Sequence, residues 1–181
     1  LKNFNTFKVG GEARYYIQIK EKDELKEAIF WAKEKEIKYL ILGGGSNIIT
    51  PDQGIEALVI HMCNDNRVVR GDRLELGAGT SLAQASNLAL AHELSGLEWS
   101  SGIPRATIGG AIRGNAGAFG KECADITETV EVYNTKIDKF EIYSKNMCQF
   151  DYRTSLFKKK EYLIIFSLTL KVERSNRIEV L

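Results

Sequence analysis

The chain has 181 residues, 44% hydrophobic and 27% charged, an ordinary globular composition with length for one large domain or two small lobes. Its 25 Lys and Arg against 24 Asp and Glu leave it near neutral, and no basic stripe with interleaved aromatics appears, which argues against a nucleic-acid binder. No apolar run approaches the roughly 18 residues that cross a bilayer, and the start carries no signal-peptide pattern, so a cytoplasmic protein with no membrane partner is expected.

Taken in chain order, Ala13 to Ile19 is rich in aromatic and β-branched residues and reads as a strand. Asp23 is a candidate N-cap for a helix ending near Glu36, with Leu25, Ala28, Ile29 and Ala32 on one face and lysines and glutamates on the other. Tyr39 to Leu42 is a short apolar strand that runs into Gly43-Gly44-Gly45, and Ala57 to Ile60 is another. Residues 1–62 therefore read as a first, small α/β lobe, and residues 63–181 as a second.

The second lobe opens with short strands at Arg67 to Arg70 and Arg73 to Leu76. Ser81 with Gln84 three residues later is a capping-box signature. It introduces a helix whose buried side is Leu82, Ala85, Leu88 and Ala89. The glycine-rich stretch Gly102 to Gly120 is expected to interrupt regular structure, and strands follow at Thr127 to Tyr133, Lys139 to Ser144 and Tyr162 to Val172.

Gly43-Gly44-Gly45-Ser46-Asn47 follows its strand directly. Glycines reach φ > 0 and keep side chains away, so successive backbone N–H groups can converge on an anion, with Ser46 and Asn47 adding donors at the rim. Three glycines alone favour a tight strand-to-loop turn. The Rossmann fingerprint is excluded because its third glycine would fall at Ile48, and a P-loop is excluded because no Gly-Lys-Ser/Thr follows. Pro51-Asp52-Gln53-Gly54 reads as a turn.

The second stretch runs Ser101-Gly102-Ile103-Pro104, Thr107-Ile108-Gly109-Gly110-Ala111 and Gly114-Asn115-Ala116-Gly117-Ala118-Phe119-Gly120. Its few side chains suit backbone laid against a flat ligand, and Ile103, Ile108, Ile112 and Phe119 make it too apolar for a mobile surface loop.

Cys63, Cys123 and Cys148 are far apart and lack a CxxC pair, so neither a disulfide framework nor a zinc site is expected, and no metal. His61 and His92 stand alone and read as surface or packed residues.

These pieces in order resemble the UDP-N-acetylenolpyruvoylglucosamine reductase (MurB) family. The resemblance is carried by Asn5-Thr6-Phe7-Lys8-Val9-Gly10-Gly11, by Leu42-Gly43-Gly44-Gly45-Ser46-Asn47, by the glycine-rich stretch and by Phe150-Asp151-Tyr152-Arg153-Thr154-Ser155-Leu156-Phe157-Lys158. It implies an α+β, two-lobed FAD-binding fold of the vanillyl-alcohol-oxidase (PCMH) type, with FAD held non-covalently between the lobes. It also implies NADPH as reductant and a UDP-sugar substrate, the enolpyruvyl ether of UDP-N-acetylglucosamine, reduced to UDP-N-acetylmuramate for peptidoglycan. By position it assigns the cofactor to Gly43, Gly44, Gly45, Ser46, Asn47, Gly102, Ile103, Pro104, Thr107, Gly109, Gly110, Gly114, Asn115, Ala116 and Gly117. Arg153 becomes the catalytic residue beside the substrate carboxylate, with Tyr152 as a packing neighbour.

Two departures stand out. Pro104-Arg105-Ala106 replaces the family's Gly-Ile-Pro-Gly ending and reads as an insertion that brings a bulky charge toward the flavin. The serine acid and glutamate of the family's C-terminal substrate domain have no counterpart here; Cys123 is a conceivable substitute donor, although a buried structural thiol is the favoured reading. A free-standing flavin module, or another oxidoreductase on the same flavin fold, remains as an alternative.

Overall fold

The computed structural model describes residues 1–100 and 102–174. Its elements are β1 (Ala13–Ile19), α1 (Lys22–Glu34), β2 (Tyr39–Leu42), β3 (Ile55–Met62), β4 (Arg67–Arg70), β5 (Arg73–Gly77), α2 (Leu82–Ala91) and β6 (Leu94–Ser95). There follow α3 (Ile108–Gly114), β7 (Gly117–Ala118), β8 (Lys121–Glu122), α4 (Cys123–Ile126), β9 (Thr127–Asn134), β10 (Lys139–Ser144), α5 (Leu156–Lys159), β11 (Leu163–Lys171) and β12 (Glu173–Arg174). Among the described residues no helix is long and apolar enough to cross a membrane.

The strands β1, β3 and β2 form a parallel sheet in that order, and α1 lays Leu25, Ala28, Ile29 and Ala32 on Ile19, Leu58, Ile60 and Met62. Parallel pairing on both sides extends β3 to Ile55–Met62, two residues further at each end than its apolar run suggests. The start of α1 also differs from expectation. The N-cap is Glu21, and Glu24 reaches back to accept the N–H groups of Lys20 (2.7 Å) and Glu21 (3.0 Å). Asp23 therefore sits inside the first turn, where its charge meets the helix dipole, and the helix stops at Glu34 because Glu36 turns to φ +53°.

A second, antiparallel sheet has the order β10-β9-β11-β5-β4. Its two faces serve two cores. Tyr133, Ile164 and Phe166 complete the cluster around α1, so the helix is sandwiched between the sheets. Val130, Val132, Leu163, Ile165, Leu168 and Leu170 face α2 and α3. A register shift between Ile165 and Ser167 makes this possible: the extra residue, Phe166, resets the alternation so that Leu168 and Leu170 stay on the face of Leu163 and Ile165. The capping box of α2 is present, with Ser81 Oγ accepting from Gln84 N at 3.1 Å and Gln84 Oε1 accepting from Ser81 N at 2.9 Å. Leu82, Ala85 and Ala89 are buried, while Leu88 is only half-buried.

The glycine-rich stretch does not simply interrupt regular structure; it contains α3. Ile108 N donates to Thr80 O (2.8 Å) and Gly109 N to Ala78 O (3.0 Å), so the loop after β5 satisfies the first N–H groups of the helix. Burial of Ile108 and Ile112, both at 0% exposure, then anchors a segment whose glycines would not form a helix alone.

Candidate functional site

The loop Gly43–Asn47 leaves the parallel sheet at the end of β2, where Leu42 pairs with His61. Gly45 holds φ +71°, and its carbonyl accepts Thr6 N at 3.0 Å. A Cβ built on Gly44 would overlap the carbonyl oxygen of Arg105, and one on Gly43 would lie 2.5 Å from Thr107 Oγ1. The two glycine-rich segments, 60 or so residues apart in the chain, thus meet backbone to backbone. Among the described residues, the N–H groups of Gly44, Gly45, Ser46 and Asn47 find no protein acceptor.

The N-terminal motif forms the third wall. Asn5 is buried and its Nδ2 donates to Leu1 O (3.1 Å) and Val9 O (2.8 Å), folding the first ten residues into a hook whose Thr6 faces the loop.

Three buried hydroxyls have no partner among the described residues: Thr6, Thr80 and Thr107. All three belong to the segments that converge here, through the bond from Thr6 N to Gly45 O, the bond from Ile108 N to Thr80 O, and the approach of Thr107 to Gly43. Leaving a buried hydroxyl unpaired costs about 1–3 kcal/mol. A polyanion with several acceptor oxygens would satisfy such hydroxyls and the loop N–H groups together, so the residues present fit a bound pyrophosphate.

From this point α3 extends as a floor. Gly109 is buried with its built Cβ 2.7 Å from Ala78 Cβ, so the protein's own packing requires glycine there. Gly110 and Gly114, four residues apart, share the outer face. A Cβ on Gly110 would meet only Thr107 Oγ1 at 3.5 Å, and one on Gly114, like one on Gly102, would meet nothing within 4 Å. Among the described residues nothing excludes a Cβ at those three positions; a flat ligand lying on them would. Beside them Ile103 and Ala116 are half-buried and Pro104 is exposed. Gly117 is different, since its Cβ would strike the backbone of Lys121 across the β7–β8 turn. Phe119, at the tip of that turn, is 94% exposed and contributes nothing to the core.

Asn115 ends α3 in the left-handed conformation, φ +44°. Both ends of its amide are engaged: Nδ2 donates to Asp151 O at 3.0 Å and Oδ1 accepts Ala124 N at 3.0 Å. The side chain therefore pins the turn that carries Arg153. That turn is closed by reciprocal 3.1 Å bonds between Asp151 and Thr154, and Ser155 Oγ ties it to Arg113 O at 2.8 Å. Arg153, at φ +55°, is exposed and makes no ion pair among the described residues. Tyr152 is 82% exposed and does not pack; among the described residues its one ring contact is the Arg153 guanidinium 6.0 Å away, because both residues occupy the tip of a two-residue turn. The seven residues of α3 span about 10 Å.

Two further groups stand at the site, Arg105 and His61. Arg105, in the left-handed region at φ +58°, donates from Nε to Gly44 O (3.3 Å) and from Nη2 to Asn3 O (3.1 Å). A left-handed backbone is what glycine supplies at no cost, so Arg105 holds an angle that glycine would take freely. His61 Nδ1 lies 2.6 Å from Tyr16 Oη, and burial, then the charge of Arg105, hold the imidazole below its usual pKa. Cys123 is 1% exposed, packed in the core, and burial pushes its thiol up to about 12. His92 is exposed at the end of α2. Ser101 lies outside the described residues, as do residues 175–181.

Residues 13–136 match the family model of the FAD binding domain. The chain is similar to the UDP-N-acetylenolpyruvoylglucosamine reductase of Caldanaerobacter subterraneus subsp. tengcongensis, 36% identical over 181 residues that make up 99% of this chain and 59% of that protein. It is likewise similar to the enzyme of the same name from Clostridioides difficile, 34% identical over 182 residues, with 99% and 59% covered. Among solved structures, that of UDP-N-acetylenolpyruvylglucosamine reductase (MurB) from Thermus caldophilus superposes with a TM-score of 0.85 at 33% identity, covering 99% of this chain and 62% of the other. The chain spans about three fifths of the length of these relatives.

Proposed function

We infer that this chain, which belongs to the FAD-binding domain family, binds FAD non-covalently between two lobes, residues 1–62 and 63–181, as the flavin portion of a UDP-N-acetylenolpyruvoylglucosamine reductase. The observation that carries this reading is the convergence of two glycine-rich segments on one point lined by orphaned hydroxyls and unpaired N–H groups. Gly43, Gly44, Gly45, Ser46, Asn47 and Thr107 would hold the pyrophosphate. Gly102, Ile103, Pro104, Gly110, Gly114 and Ala116 would lie along the flavin half, with Gly109 and Gly117 packing the backbone behind them. When bound, FAD supplies the hydride that NADPH has delivered and that reduces the enol ether.

What the chain itself contributes is position and charge. The planar guanidinium of Arg153 can take a carboxylate with two parallel hydrogen bonds, so it would both orient the enolpyruvyl group and stabilise negative charge that develops there. Asn115 fixes the turn on which Arg153 rides. The substrate and reductant are a UDP-sugar and NADPH, both cytoplasmic metabolites, and the product feeds peptidoglycan and hence cell shape.

Titration of the purified protein with FAD tests the reading. Flavin fluorescence and absorbance should shift on binding, and acid or heat should release the flavin; yellow colour retained by the denatured polypeptide would contradict non-covalent binding. Absence of binding at micromolar concentration overturns the whole reading. In the intact protein, oxidation of NADPH should depend on the UDP-sugar enolpyruvyl ether.

A further inference from the structure

Arg105 occupies a backbone conformation that disfavours it. At φ +58° its Cβ crowds the following carbonyl, a strain that persists only where the surroundings over-determine it. The restraint comes from the Gly43–Asn47 loop. The Arg105 side chain grips Gly44 O and Asn3 O, while its own carbonyl oxygen fills the space where a Gly44 side chain would be. One residue thus holds Gly44 by both its side chain and its backbone, and staples it to the N-terminal hook.

The consequence for ligand binding follows from peptide geometry. The carbonyl of Gly44 and the N–H of Gly45 belong to one trans peptide unit and point in opposite directions. A Gly44 carbonyl fixed toward the guanidinium aims the Gly45 N–H away from it, and that N–H has no protein acceptor among the described residues. We propose that Arg105 is a positioning residue for FAD: it latches the Gly44–Gly45 peptide in the orientation that presents its N–H to the cofactor's pyrophosphate. The proposal rests on the FAD reading above. It differs from a direct ion pair, since the guanidinium donates to backbone carbonyls and acts through them.

The test compares wild type, Arg105→Gly and Arg105→Lys by fluorescence titration with FAD, ADP and riboflavin, together with the melting temperature of the flavin-free protein. Glycine adopts the left-handed angle freely, so Arg105→Gly should melt no lower than wild type. It should nevertheless bind FAD and ADP about tenfold more weakly, the worth of one well-made hydrogen bond, with riboflavin, which has no phosphate, unaffected. Lysine keeps the charge but lacks the fork that spans Gly44 and Asn3, so Arg105→Lys should show the same selective loss. Either variant binding FAD as wild type overturns the proposal. So does an equal loss for riboflavin, or a melting temperature that falls in step with FAD affinity, because both mark general structural support. Wild type that fails to bind FAD at all removes the FAD reading itself and the latch with it.

Discussion

Adjacent glycines of α3 should respond in opposite ways to one added methyl group. In Gly110→Ala the new Cβ meets only Thr107 Oγ1, at an ordinary 3.5 Å. Alanine is favoured over glycine inside a helix by up to about 1 kcal/mol. For a chain of this size that raises the melting temperature of the flavin-free protein by roughly 2–4 °C. The same methyl projects from the face assigned to the cofactor and pushes back a flat ligand seated on the backbone. A misfit of that kind costs about 1–3 kcal/mol, or roughly 5- to 150-fold in FAD affinity. Gly109→Ala reverses the first effect: its Cβ would come within 2.7 Å of Ala78 Cβ and 3.0 Å of Ala78 O, both on a fixed strand end. Overpacking there should lower stability by about 1–3 kcal/mol. Differential scanning fluorimetry without flavin and fluorescence titration with FAD read the two quantities separately. The reasoning is refuted if both variants shift stability in the same direction, or if Gly110→Ala binds FAD like wild type.

Gly44→Ala should reduce FAD affinity at least about 100-fold and destabilise the protein by roughly 1–3 kcal/mol, because its methyl overlaps the Arg105 carbonyl and no flexible group can yield; unchanged affinity in a folded variant, checked by circular dichroism, would reduce the loop to a turn. Arg153→Ala removes an exposed side chain and should alter stability by no more than about 0.5 kcal/mol. It should leave FAD bound while slowing substrate-dependent reduction in the intact protein about 10²- to 10³-fold, measured by stopped-flow flavin absorbance. Thiol labelling of the native protein at pH 8 should reach Cys63 alone, since Cys123 and Cys148 are buried and held at about 12; peptide mapping that finds Cys123 labelled before unfolding contradicts this. A thiol whose folded pKa is raised stabilises the fold fully below its unfolded value near 8.5, and the contribution fades as pH climbs toward 12. The melting temperature should therefore fall on the alkaline side.

Local pattern alone determined much of this protein. The strands at Tyr39–Leu42 and Lys139–Ser144, the four buried positions of α1, and the Ser81–Gln84 capping box depend on period, propensity and side-chain reach, all local properties. The order of motifs carried the cofactor class as well, because a glycine-rich backbone that approaches a pyrophosphate needs no distant partner to be written in sequence. Local pattern could not supply α3, where propensity argues against a helix and the stabilising partners, Ala78 and Thr80, lie some 30 residues earlier. Nor could it reveal that Asn115 spends its amide on Asp151 and Ala124, that Tyr152 stands in solvent, or that Phe166 bulges to serve two cores. The roles of Gly44 and Arg105 became visible only once the two segments were in contact. A glycine in a sequence states that a side chain is absent; whether protein or ligand fills the space it leaves is decided by what the tertiary fold brings against it, which at Gly109 is Ala78 and at Gly110 is open ground.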